Sequence, residues 1–152
     1  MDLGLTGKKV VITGGSRGIG RAIATKMLEE GASVAICARG QEGVDEALEA
    51  LQGRGTIIGS AVDASNGDEL EKWLANSAEE LGGIDILINN ASGGGGGQTD
   101  EKFDANYNVD LMGLVRGVRA TEELLSASGE GAVLTISSTA VSYTHLTLPT
   151  KA

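Results

Sequence analysis

The chain has 152 residues, 41% hydrophobic but only 3% aromatic, which fits one domain with an aliphatic core. Its 12 basic and 21 acidic residues leave a net charge of −9, which argues against a nucleic-acid or membrane-surface partner but not against an anionic cofactor held by a local turn. Cys37 is the single cysteine, so there is no disulfide framework and no cysteine metal site, and no segment has the length of a membrane span.

Met1–Gly4 carries neither a basic nor an apolar leader pattern, so a reducing, cytoplasmic setting is expected. Lys8–Thr13 reads as a first strand, an uninterrupted apolar run of the kind buried in a parallel sheet. Thr13-Gly14-Gly15-Ser16-Arg17-Gly18-Ile19-Gly20 follows as a glycine turn that opens a helix. The helix runs from Ile19 to Glu30, with Ile19, Ile23 and Met27 on one face and Gly31 as its stop signal. Its unpaired N–H groups and positive dipole end point at the turn, so the expected occupant is an anion, most usefully a pyrophosphate. A tight turn without a ligand is the plainer alternative.

Ser33–Ala38 is a second strand, and 43–52 a helix with Val44, Ala47, Leu48 and Leu51 inward. Residues 56–62 form a third strand. Asn66 is a plausible N-cap for a helix whose stripe is Leu70, Trp73, Leu74, Ala78 and Leu81. Residues 84–89 form a fourth strand, followed by a flexible loop containing Gly93–Gly97. Residues 100–107 look helical and lead into a long helix with Leu111, Leu114, Val115 and Val118 inward; 132–137 is a fifth strand. This alternation predicts an α/β domain, a Rossmann-type doubly wound parallel sheet that breaks off after strand five.

In such sheets ligands sit beyond the carboxyl ends of the strands. At the end of strand two an NAD-type site places Asp or Glu on the ribose, whereas this chain has Ala38 and Arg39, with Arg17 in the glycine turn. Two guanidiniums there suit a 2′-phosphate, although both could be plain surface arginines. Asp63 ends strand three and could accept from an adenine amino group or serve only as a helix-entry residue. Asn89-Asn90-Ala91-Ser92 ends strand four, where the amides can tie neighbouring strands together and face a ligand, or be turn residues. Asn108 lies where two helical pieces meet, so a bend, a bound water or a simple cap is expected. Ser137 and Ser138 end strand five, where a hydroxyl could bond a substrate carbonyl.

Together Thr13–Gly20, Asp63, Asn89-Asn90-Ala91, Asn108-Val-Asp and Ile136-Ser137-Ser138 resemble the classical short-chain dehydrogenase/reductase family, in its order and spacing from residue 5 to about 140. The resemblance, nearest to its 3-oxoacyl-carrier-protein reductase branch, implies an oxidoreductase that moves hydride between a nicotinamide and a small carbonyl or alcohol substrate. It implies that Gly14, Ser16, Arg17, Gly18, Ile19 and Gly20 cradle the cofactor, that Asp63 contacts adenine, and that Asn89, Asn90 and Ala91 line the site. Arg17 and Arg39 match the NADP(H)-preferring pattern, with NAD(H) as the lesser alternative. By the same carry-over Ser138 orients the substrate oxygen, Asn108 anchors a proton-relay water, and the parent protein is a homodimer or homotetramer that uses the helix from Val109 onward. A non-catalytic dinucleotide-binding module or sensor is the competing reading.

Two departures stand out. The family has Gly where this chain has Ser92, and its Tyr-x-x-x-Lys pair, expected about a dozen residues beyond the serine, is missing: Tyr143 comes too early and is followed at that spacing by Thr147, while Lys151 lies beyond the helix-breaking Pro149. Residues 141–150, Val-Ser-Tyr-Thr-His-Leu-Thr-Leu-Pro-Thr, resemble an in-frame translation of the transposase adapter used in short-read library preparation. The domain is therefore expected to span 1–140, with 141–152 a non-native tail in which His145, the only histidine, has no role.

Overall fold

Five apolar runs become the strands of one parallel sheet in the computed structural model, which describes residues 3–94 and 99–138. The strands are β1 (Lys9–Thr13), β2 (Ser33–Ala38), β3 (Ile57–Ala61), β4 (Ile86–Asn89) and β5 (Ala132–Thr135), in the order β3-β2-β1-β4-β5. Between them lie α1 (Gly18–Glu29), α2 (Gln41–Leu51), α3 (Gly67–Leu81), a short α4 (Asp100–Asn106), a π-helical turn (Tyr107–Leu111) and α5 (Met112–Ser128). Tyr143, His145, Thr147 and Lys151, with the rest of the tail, lie outside the described residues, as does most of the glycine run after Gly94.

Alternate residues of β1 to β4 feed two cores. Val10, Ile12, Val34, Ile36 and Ile88 pack with Ala24 and Leu28 of α1 and Ala47 and Leu51 of α2. Val11, Ala35, Cys37 and Leu87 pack on the other face with Leu70, Trp73 and Leu74 of α3 and Leu125 of α5. The central strands are buried on both faces, so they need continuous apolar runs rather than alternation. Parallel registers such as Val11↔Ala35 and Val11↔Leu87 align the carboxyl ends of β1, β2 and β4. The winding direction reverses between β1 and β4, and a crevice opens there.

Local signals account for most element ends. Asn66 caps α3, its side chain accepting from the amides of Asp68 (3.1 Å) and Glu69 (3.3 Å). Gly31, at φ +84°, follows α1, and Gly82, at φ +78°, caps α3.

Two helix faces differ from expectation. In α1 the buried residues are Gly20, Ala24 and Leu28; Ile19 is 61% exposed, and Ile23 and Met27 only flank the core. In α5 the buried residues are Gly113, Gly117, Thr121 and Leu125; Leu111 is exposed, and Leu114, Val115 and Val118 are half-buried. The reason is the same in both. Small residues let each helix press against backbone or side chains of the sheet, and the bulkier apolar neighbours are turned aside. Strand five is also shorter than expected, and all four of its residues are exposed along the sheet edge.

Candidate functional site

The crevice at the reversal point is a groove of about 540 Å³. The β1–α1 turn forms one wall. Gly14 (φ +69°) and Gly18 (φ +55°) hold backbone angles that other residues rarely adopt, and no atom lies within 4 Å of where a Gly18 side chain would project. Gly20 is needed for close approach: a Cβ there would lie 2.2 Å from the Gly14 carbonyl oxygen. The N-cap of α1 is Arg17, which makes no side-chain cap bond, and the first turn holds no acidic residue. In contrast to Asn66-capped α3, the first N–H groups of α1 are left for an external acceptor.

Asn90 fastens this turn to the end of β4. Its Nδ2 donates to the carbonyls of Thr13 (3.1 Å) and Gly14 (3.0 Å), while the amides of Asn90 and Ala91 donate to Thr13 Oγ1 (both 3.1 Å). The expected tie between neighbouring strands is therefore made by Asn90. Asn89 behaves differently. It is 8% exposed, its Oδ1 faces Gly117 of α5, and its Nδ2 has no hydrogen-bond partner among the described residues. It lines a second cavity of about 40 Å³ behind the groove, with Thr13, Asp110 and Thr135.

Gly14, Ser16, Arg17, Gly18, Ile19, Arg39, Asp63, Asn90, Ala91 and Ser92 all line the groove, so the fold brings together most of the residues singled out in the sequence. Gly20 sits beneath it, packed on Gly14. Ile19, which the resemblance assigned to the cofactor cradle although its spacing put it on the apolar face of α1, lines the groove and is exposed. Arg17 and Arg39 are both exposed at the rim. Asp63 Oδ1 accepts from the hydroxyl (2.7 Å) and amide (2.9 Å) of Ser65, so Oδ2 remains for a donor in the groove. The Ser65 hydroxyl and then the Ser65 amide hold the Asp63 carboxyl below its ordinary range; burial opposes them, and Arg39 adds the least. Burial pushes the Cys37 thiol up to about 12, only partly offset by a hydrogen bond from Gly14, so Cys37 is an inert wall of the groove rather than a nucleophile.

Asn108 and Ser138 do not line the groove. Asn108 lies in the π-helical turn, which is the expected bend, and its Nδ2 donates to the Asp104 carbonyl at 2.8 Å. Ser138 stands just past β5 on the exposed edge. Asp110 entered the sequence reading only as the end of the Asn108-Val-Asp motif, with no role assigned; its Oδ1 accepts from the Gly93 amide at 3.2 Å and pins the loop after β4 to the π-helical turn. Val109 beside it lines both groove and cavity. The motif places both residues, but not their contacts, because the winding of the π turn decides which side chains turn inward. Among the described residues no three His, Cys, Asp or Glu side chains gather as a metal site, and no helix is long and apolar enough to cross a membrane.

A doubly wound parallel sheet with a glycine turn and an uncapped helix at its reversal point defines a dinucleotide-binding type of site. The chain belongs to the short-chain dehydrogenase family, whose model matches residues 8–149. It is 40% identical over 144 residues to the uncharacterized oxidoreductase YvrD of Bacillus subtilis (strain 168), covering 92% of this chain and 54% of that protein. Among solved structures it is similar to L-sorbose reductase from Gluconobacter frateurii in complex with NADPH and L-sorbose, at 33% identity and TM-score 0.83, covering 89% of this chain and 54% of that one. It is also similar to a 7α-hydroxysteroid dehydrogenase complexed with NADH and 7-oxo glycochenodeoxycholic acid, at 29% identity and TM-score 0.86, covering 91% and 56%. The chain thus spans about half the length of the relatives it matches.

Proposed function

We propose that this chain is the cofactor half of an NADP(H)-dependent oxidoreductase acting on a small carbonyl or alcohol substrate. The observation that carries the cofactor choice is the end of β2: Arg39 and Arg17 both line the groove and are exposed, and Ala38 ends β2 where an NAD-type site has a ribose-binding carboxylate. Two guanidiniums favour a 2′-phosphate, and a carboxylate would repel it. Gly14, Ser16, Gly18, Ile19 and Gly20 would hold the pyrophosphate at the N-terminus of α1, whose N-cap Arg17 makes no side-chain cap bond. Asp63 receives the adenine amino group through Oδ2, and Asn90 and Ala91 keep the turn and the β4 end in register along the cofactor. Held by these residues, a reduced nicotinamide would supply hydride to a carbonyl carbon.

By the family resemblance, Ser138 orients the substrate oxygen, Asn108 anchors a proton-relay water and Asn89 belongs to the cofactor-lining set. The proton donor pair Tyr-x-x-x-Lys is missing from this sequence, so the 152-residue polypeptide is expected to bind NADPH without reducing a ketone. Oxidation of NADPH with any ketone, followed at its absorbance band, would contradict that expectation. Residues 141–152 are read as non-native, a reading tested by the source DNA: the same codons in adapter-free genomic template would overturn it. A complete parent protein would be cytoplasmic and a homodimer or homotetramer.

Replacing Arg39 tests the cofactor choice. Arg39→Asp is expected to weaken NADPH and leave NADH unchanged or tighter, as read by calorimetric titration. An equal effect on both dinucleotides would show that Arg39 does not meet the 2′-phosphate.

A further inference from the structure

Asp63 is held by a connection that α5 braces from behind. Arg116 of α5 sends Nη1 to the carbonyl oxygen of Ser65 at 3.0 Å. The same side chain lies close against the first residue of α3: a Cβ on Gly67 would fall 3.1 Å from both Cδ and Nε of Arg116. Gly113, one turn earlier on α5, packs against the same connection, its Cβ position 3.6 Å from the Ala64 carbonyl oxygen. Ser65 passes the constraint on, since its amide and hydroxyl both bond Asp63 Oδ1. Arg116 does not itself line the groove, and it pairs with no carboxylate among the described residues. Its charge is committed to a backbone carbonyl, an arrangement that fixes geometry more than it neutralises charge.

We infer that Arg116 is a positioning residue for base recognition: through Ser65 it fixes the direction of the free Asp63 oxygen, and so sets the preference for adenine over a 6-oxopurine. This rests on the reading that Asp63 meets the adenine amino group. A carboxylate held in place accepts from that amino group and repels the carbonyl oxygen that hypoxanthine presents there. A carboxylate free to swing away tolerates both. Rejection of the wrong base therefore depends on the rigidity of the 63–67 segment, and Arg116 is the side chain that clamps it from outside.

The experiment titrates the full chain with NADPH and with its hypoxanthine analogue, and reads the ratio of the two dissociation constants. The unaltered chain is expected to favour NADPH by about tenfold or more, the value of one charge-assisted hydrogen bond. In Arg116→Met the ratio should collapse toward one, while the circular dichroism spectrum is unchanged. Gly67→Ala provides a second route, because the new methyl displaces the guanidinium at a residue whose φ lies outside the left-handed region. It should lower the ratio in the same way, and it decides the matter alone if Arg116→Met fails to fold. A ratio preserved in a folded variant overturns the inference about Arg116. An unaltered chain that binds both dinucleotides equally, or neither, instead overturns the underlying reading of Asp63.

Discussion

At the scale of single residues, Asp63 joins electrostatics to stability. Hydrogen bonds from Ser65 and the nearby Arg39 hold its folded-state pKa below the ordinary 3.8. A carboxylate depressed in this way contributes stability above its unfolded pKa, and the contribution disappears as pH falls through the lower folded value. Asp63→Asn is therefore expected to cost stability at neutral pH, with the difference shrinking below pH 3.8. Urea unfolding at a series of pH values checks this, and a difference that persists undiminished into the acid range would contradict it. The residue type and its place at a strand end were legible in the sequence. Its bonds to Ser65 were not, because they depend on how the chain turns between β3 and α3. The same holds for Asn89 and Asn90. The sequence presents them as equivalent, yet Asn90 bonds the Thr13 and Gly14 carbonyls at the end of β1, while Asn89 is buried against α5 and its Nδ2 has no partner among the described residues. Which amide faces which neighbour is decided by strand alternation.

At the scale of elements, strand positions followed directly from apolar runs, because a two-sided parallel sheet admits little else. Helix faces were harder to read. Periodicity finds the largest apolar residues, but α1 and α5 dock through their smallest. A Cβ on Gly117 would lie 3.2 Å from Asn89 Oδ1 and 3.5 Å from Leu87 Cδ2, so α5 presses its glycine face to β4 and turns Leu111 out. Close approach leaves no trace in hydropathy, so this face could not be found from sequence alone. Capping is the opposite case. Asn66 was legible because a cap acts within its own turn, and its bonds to Asp68 and Glu69 follow from local geometry. Asn66→Ala is expected to cost about 1 kcal/mol. The measurement is the shift in urea midpoint at unchanged m-value, and no shift would mean that water caps α3 equally well.

At the scale of the whole molecule, the order β3-β2-β1-β4-β5 brings the ends of β1, β2, β3 and β4 to one crevice, which is why residues scattered from Gly14 to Val109 in sequence share a groove. Asn108 and Ser138 stand apart from that groove, and β5 has its apolar residues Val133 and Leu134 exposed. The cofactor side of the site is thus assembled from short-range signals and one topological rule. The substrate side has no comparable enclosure among the described residues. The chain spans about half of its matched relatives, and dinucleotide preference is the property on which its groove bears most directly. Calorimetric titration of the 152-residue chain with NADPH and NADH under identical conditions tests it most directly. Saturable binding of NADPH is expected, tighter than NADH by about tenfold or more, from two arginines on one phosphate. Equal affinities, or tighter binding of NADH, would contradict it.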